Sequence, residues 1–171
     1  EISACLVGSE MCIRDSAMVL GALLGAGEPS MAGLMKNPTF KPDELLYVGL
    51  QGLHDYQAKF LNDLGADYKV QTEDFVSDDD IRAFVQKFDH VLVHLDIDVL
   101  DPHCFHSTYF ANPNLVGDGS GGGRMTMEQL ASILHLVAAN SEIAGLTIAE
   151  YLPFDEERLH KLFGSLKLFT D

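Results

Sequence analysis

The sequence predicts an α/β protein: a three-layer α/β/α sandwich with a mainly parallel sheet. Three observations carry that reading. Segments with apolar residues at helical spacing alternate strictly with short strand-like runs, the order that a parallel sheet with crossover helices requires. The strand-like runs ELLYVGLQG, DHVLVHLDI and EIAGLTIAEYLP are short, apolar and closed by turn or acidic residues, as buried strands are. The 171 residues, 47% hydrophobic and 22% charged, contain no internal repeat and no low-complexity linker, so they suit one domain with a sizeable core.

The elements follow in order. The first sixteen residues, EISACLVGSEMCIRDS, have no clear helical or strand period. They do not make a signal peptide, because acids interrupt them and no basic start leads a long apolar core. We read residues 1–16 as a non-native segment, translated vector, adapter or misassembled DNA joined to a truncated gene. The native sequence then begins near Ala17, and 17–171 is the C-terminal part of a single domain. A small-residue helix is expected over Ala17–Leu24, broken at Gly25 and Gly27. KNPTFKP is a loop, and a strand follows near Leu45–Leu50. DYQAKFLNDLG is a helix that Gly65 ends, and YKVQT is a short strand. VSDDDIRAFVQKF is a helix with Ser77 as N-cap, acids in its first turn and a lysine in its last. The strand DHVLVHLDI leads into a loop from Val99 to Arg124, rich in Gly, Asn and Pro. TMEQLASILHLVAAN is a helix with a capping box between Thr126 and Gln129. The strand EIAGLTIAEYLP and the amphipathic helix DEERLHKLFGSLKLF complete the chain.

Composition narrows the function. A net charge of −15, from 26 acidic and 11 basic residues, argues against nucleic acid, which is bound through cations on phosphates. No apolar run reaches the roughly 18 residues of a membrane span. The three cysteines, Cys5, Cys12 and Cys104, are an odd number with no zinc-site spacing, which suits a reducing, cytoplasmic setting. Cys104 reads as a small buried hydrophobe.

The chemistry concentrates in HVLVHLDIDVLDP. In open α/β sheets ligands bind beyond the carboxyl ends of strands, and this strand ends in Asp96 and Asp98. Side chains two apart on a strand share a face, so His94, Asp96 and Asp98 are expected together. Clustered carboxylates repel unless a cation lies between them. Oxygen donors suit magnesium, calcium or manganese, and an added imidazole favours manganese or zinc. Taken alone, the D-x-D also fits acids that cap the next element, or an enzyme that holds a nucleotide-sugar through a metal. Asp101, before Pro102, reads as structural, binding backbone amides of the loop. Gly121, Gly122 and Gly123 lack the lysine of a phosphate loop and are expected to let backbone pack closely at the site entrance. His103 and His106 are expected in solvent.

The whole run, His94-Leu95-Asp96-Ile97-Asp98-Val99-Leu100-Asp101-Pro102, resembles the S-x-D-x-D-x-x-D-P signature of the arginase/agmatinase (ureohydrolase) family. LTIAEYLP, Leu146 to Pro153, resembles the strand ending E-x-x-P that those enzymes place beside their metals. YVGLQG resembles their strand leading to a substrate-binding turn, and AMVLGALLG the segment after their H-G-M-type motif. The similarity runs from Ala17 onward. It implies an arginase-like fold with N-terminal strands missing, and hydrolysis of a guanidino compound, usually with release of urea, using two manganese ions. By motif position Asp96 would bridge the two ions and Asp98 would bind one. Glu150 would pair with the substrate guanidinium as the catalytic-site carboxylate, and His54 or Asp55 would face the substrate's far end. The partners implied are a small guanidino substrate and further copies of the full-length chain.

The departures are specific. The family's other ligand motifs, G-G-D-H and D-A-H-x-D, are absent from this sequence, and His94 stands where serine is usual. The H-G-M histidine would fall at Ser16. His94 reads as a substitution hydrogen-bonded under the site. The expectation is a chain that by itself cannot close a two-metal site, binds metal weakly, dissolves poorly and is inactive. Agmatinase, guanidinobutyrase and formiminoglutamase share the motifs with arginase and stay open as alternatives. So does a metal-free, arginase-like binding or regulatory protein.

Overall fold

Four strands form one parallel sheet among the described residues: β1 (Ile2–Val7), β2 (Leu45–Val48), β3 (His90–Asp96) and β4 (Glu142–Ala149), in the order β2-β1-β3-β4. The structure is a computed structural model that describes residues 2–7 (backbone path), 23–25, 33, 40–53, 55–66, 68–70, 75–112 and 122–166. Val70 adds an isolated parallel bridge to Leu50, and that bridge is all that forms of the strand expected at YKVQT among the described residues.

Residues 2–7 belong to the segment read as non-native, and they form β1 inside the sheet, between β2 and β3. Val7 pairs with Val48 on one side and with Leu95 on the other. ISACLV carries no charge, and a strand flanked on both sides has no need of alternation, so its lack of period was uninformative. An uncharged run of this kind can fill a gap between strands by backbone hydrogen bonds alone, whatever its origin. Residues 8–16, and most of the helix expected at 17–24, lie outside the described residues.

Four helices connect and cover the strands among the described residues: α1 (Asp55–Leu64), α2 (Asp78–Val85), α3 (Met127–Asn140) and α4 (Glu156–Ser165). Their ends are set locally. Gly65 takes φ +69 and stops α1. Ser77 Oγ accepts the Asp80 N–H at 3.2 Å to start α2. The cation in the last turn of α2 is Arg82, whereas Lys87 falls beyond the Gln86 cap. The capping box of α3 is present in both directions, Gln129 N–H to Thr126 Oγ1 at 3.2 Å and Thr126 N–H to Gln129 Oε1 at 2.9 Å. Residues 167–169, the end of the helix expected over Asp155–Phe169, lie outside the described residues.

The main core lies on one face of the sheet. Leu46, Val48, Val91, Val93 and Leu95 meet Ile81, Phe84 and Val85 of α2, Leu130, Leu134 and Val137 of α3, and Leu159 and Leu162 of α4. Tyr47, which alternates with Leu46 and Val48, points to the other face and packs with Leu50 and Leu61 of α1. Burial there pushes the Tyr47 hydroxyl up to a pKa of about 12. Helix, sheet and helix thus make the three layers. They present the carboxyl ends of β3 and β4 side by side.

Candidate metal centre

The pairing of β3 with β4 aligns Asp96 with Ala149, so the chain leaves both strands at the same height. The two exits differ. After Asp96 the backbone enters a 3-10 turn, Ile97–Val99, with Asp96 as its cap and Asp96 Oδ1 facing the Asp98 N–H at 3.5 Å. After Ala149 it turns abruptly, because Glu150 takes φ +56, the only non-glycine positive φ among the described residues. The left-handed region costs an L side chain about 1 kcal/mol or more. It persists where the surroundings hold it, and such residues cluster at functional sites.

These two turns bring three carboxylates together. Asp96, Asp98 and Glu150 each offer an oxygen within 4.8 Å of the others. Asp96 is 1% exposed and Asp98 0%. Buried like charges at this separation repel strongly, and a divalent cation removes that repulsion. Three hard oxygen donors fit manganese, magnesium or calcium, and no thiolate or imidazole belongs to the cluster among the described residues.

Main-chain contacts fix the turn that carries Asp98. Its carbonyl oxygen accepts Gln51 Nε2 at 3.2 Å and the Gly123 N–H at 2.7 Å. Met125 N–H donates to the Val99 carbonyl at 3.1 Å, and Asp101 N–H to that of Met125 at 2.9 Å. Gly123 has to be glycine, since a Cβ there would sit 1.8 Å from the Val99 carbonyl oxygen. The close packing expected of the glycine run is therefore present at Gly122 and Gly123. Asp101 Oδ1 accepts the His103 N–H at 2.8 Å and meets His103 Nδ1 at 2.9 Å. The His103 amide, and then its ring, hold the Asp101 carboxyl below the usual carboxylate range.

Not every candidate residue joins the cluster. His94 and Asp96 share a strand face, but Asp98 does not extend that row, because it lies in the 3-10 turn rather than on β3. His94 Nδ1 meets Thr147 Oγ1 at 2.7 Å, across the β3–β4 pair. Asp55 is exposed at the start of α1 and outside the cluster, and His54 lies outside the described residues. His103 and His106 are exposed. Cys104, expected to be buried, is an exposed free thiol, because Phe105 beside it takes the buried position at 1% exposure. Gln51 was missed. A polar residue closing an apolar strand at the carboxyl edge of the sheet was the available signal, and its 8% exposure shows how far in it sits.

No family model matches the chain, and no curated protein matches it. Solved structures do. The arginase of Bacillus caldovelox superposes with a TM-score of 0.75 at 21% identity, over 97% of this chain and 60% of that one. The arginase of Entamoeba histolytica, in complex with L-ornithine, gives 0.74 at 17% identity, over 96% and 59%. A putative agmatinase from Clostridium difficile gives 0.59 at 15% identity, over 98% and 55%. The chain thus spans about three fifths of the length of the arginases it matches. Over that length, with its parallel sheet and its acids at the carboxyl ends of β3 and β4, it has the arginase/ureohydrolase fold.

Proposed function

We propose that this chain is the C-terminal portion of a manganese-dependent hydrolase of the arginase type, which cleaves a guanidino compound and releases urea. The observation that carries the proposal is the carboxylate trio Asp96, Asp98 and Glu150, gathered on the arginase fold where β3 and β4 end. On this reading Asp96 and Asp98 would be two of the ligands of the metal pair. Manganese would supply Lewis-acid activation of a water. Glu150 receives the planar N–H fork of the guanidinium, an orientation that a carboxylate matches with two parallel hydrogen bonds. Burial of Asp96 and Asp98 strengthens their hold on any cation by excluding solvent screening. Water would add to the guanidinium carbon, the C–N bond to the alkyl amine would break, and both protons of that water would leave on the amine, giving urea and an alkylammonium ion. His54 and Asp55, beyond β2, would read the substrate's far end.

Agmatinase, guanidinobutyrase and formiminoglutamase activities are alternatives at the same centre. The gene product with its upstream motifs would be a cytoplasmic homo-oligomer. The 171-residue chain, lacking G-G-D-H and D-A-H-x-D, would turn over slowly or not at all. Among the described residues no helix is long and apolar enough to cross a membrane.

Mn2+ titration of the chain followed by electron paramagnetic resonance tests the metal reading. Binding should weaken roughly tenfold or more in Asp98→Asn. Equal binding by the wild-type and Asp98→Asn chains would refute it. Sequencing the DNA upstream of the Ala17 codon tests the non-native origin of residues 1–16. A frame continuing into the two missing motifs supports it, and its full-length product can then be assayed for urea release from arginine, agmatine and guanidinobutyrate. A metal-free binding role is the second reading, favoured by His94 in the serine position, engaged with Thr147. It predicts no Mn2+ response at all.

A further inference from the structure

The geometry points to Ser107 as a positioning residue that holds Glu150 over the two aspartates; this rests on the metal-centre reading above. Ser107 lies in the loop after β3 and is 0% exposed. It grips the connection after β4 at three points. Its carbonyl oxygen accepts the Leu152 N–H at 2.9 Å, two residues past Glu150. Its hydroxyl oxygen accepts the Phe154 N–H at 3.0 Å and also the Asp155 N–H. Asp155 is the N-cap of α4, yet its own side chain makes no capping bond, so Ser107 supplies an acceptor from a different loop.

A second tie runs alongside. Arg158 of α4 donates to the Cys104 carbonyl at 2.6 Å and lies over the Phe105 ring, 5.9 Å from its centroid. The segment from Tyr151 to Asp155 therefore has Glu150, in its left-handed turn, at one end and α4 at the other. Between them it has no regular structure, and Phe154 is 73% exposed. Its backbone is fastened to the very loop that continues from Asp96 and Asp98. That fastening sets the path of the segment that begins at Glu150, and loosening it should let the left-handed turn relax and shift the carboxylate relative to Asp96 and Asp98.

The test uses the 171-residue chain and its Ser107→Ala and Glu150→Gln variants, read by amide hydrogen exchange and by titration with Mn2+ alone. Losing the hydroxyl acceptor should speed exchange at Phe154 and Asp155 by about tenfold, with the amides of β3 unchanged. Glu150→Gln removes a negative charge within 4.8 Å of the aspartate oxygens and Ser107→Ala displaces it, so each single variant should weaken Mn2+ binding several-fold, and the double variant should bind no more weakly than Glu150→Gln. Additive losses would mean that Ser107 does not act through Glu150, and would overturn the inference. So would exchange that is unchanged, or uniformly faster throughout. If the Ser107→Ala chain does not fold, the wild-type Asp155 amide decides: protection supports the tie, and free exchange overturns it. A wild-type chain whose Mn2+ binding ignores Asp98 sinks the metal reading, while exchange at Phe154 and Asp155 still decides for or against the tie.

Discussion

Replacing Gly123 with alanine should cost the fold on the order of 4 kcal/mol, through an overpacking penalty of about 1–3 kcal/mol and about 1 kcal/mol per lost hydrogen bond. The new Cβ would meet the Val99 carbonyl oxygen at 1.8 Å, its carbonyl carbon at 2.2 Å and its Cα at 2.7 Å. All three are main-chain atoms, so no rotamer change relieves the clash, and the two segments must part by about 1 Å. Parting them breaks the Gly123 N–H bond to the Asp98 carbonyl, 2.7 Å, and strains the Met125 N–H bond to Val99, 3.1 Å. The same displacement moves the turn that aims Asp98, so Mn2+ binding should fall together with stability. The assay is urea unfolding followed by circular dichroism, with Mn2+ titration in parallel. Gly52→Ala is the control, because a Cβ there meets nothing within 4 Å. A Gly123→Ala chain within about 0.5 kcal/mol of wild type, the range of harmless surface changes, would show that this close approach does not exist.

Three further outcomes are expected. Gly164→Ala should stabilise the chain by about 0.5 kcal/mol, seen as a higher urea midpoint, because Gly164 lies within α4 and a Cβ there meets nothing within 4 Å. Asp101, its carboxyl held low by the His103 amide and ring, contributes stability that is fully present above the unfolded carboxylate pKa of about 4 and is lost as pH falls through the lower folded value. The drop in melting temperature on acidification should therefore be smaller in Asp101→Asn than in wild type. Cys104 should react with a thiol reagent in the folded protein, with mass spectrometry placing the label on that residue, and a label that appears at Cys104 only after denaturation would contradict its exposure.

The parts of this structure that could be read from the sequence are those set by near neighbours. Ser77 and the Thr126–Gln129 box start their helices through contacts three residues away, and Gly65 stops α1 by a conformation that belongs to one residue. Asp96, Asp98 and Glu150 stood out because acids at strand ends are chemically conspicuous, and because whole motifs surround them. What stayed hidden depends on partners far away in the chain. The place of residues 2–7 at the centre of the sheet comes from pairing with segments some 40 and 90 positions on, a property no local period records. The 3-10 turn that takes Asp98 off the strand row is held by Gln51 and Gly123, from two other loops. The exposure of Cys104 follows from Phe105 winning the pocket beside it, a competition between neighbours that composition alone does not decide.

The left-handed turn at Glu150 sets stability and chemistry against each other at one residue. Its backbone asks for glycine, which adopts φ +56 without steric penalty. The cluster asks for a carboxylate, which glycine cannot provide. Glu150→Gly should therefore leave the protein as stable or slightly more so while emptying the position of its function, the signature of a trade-off between activity and stability. Selection for folding alone would drift toward glycine here. A screen for thermostable variants would favour the same change, and its winners at this position would be the ones with the least to do.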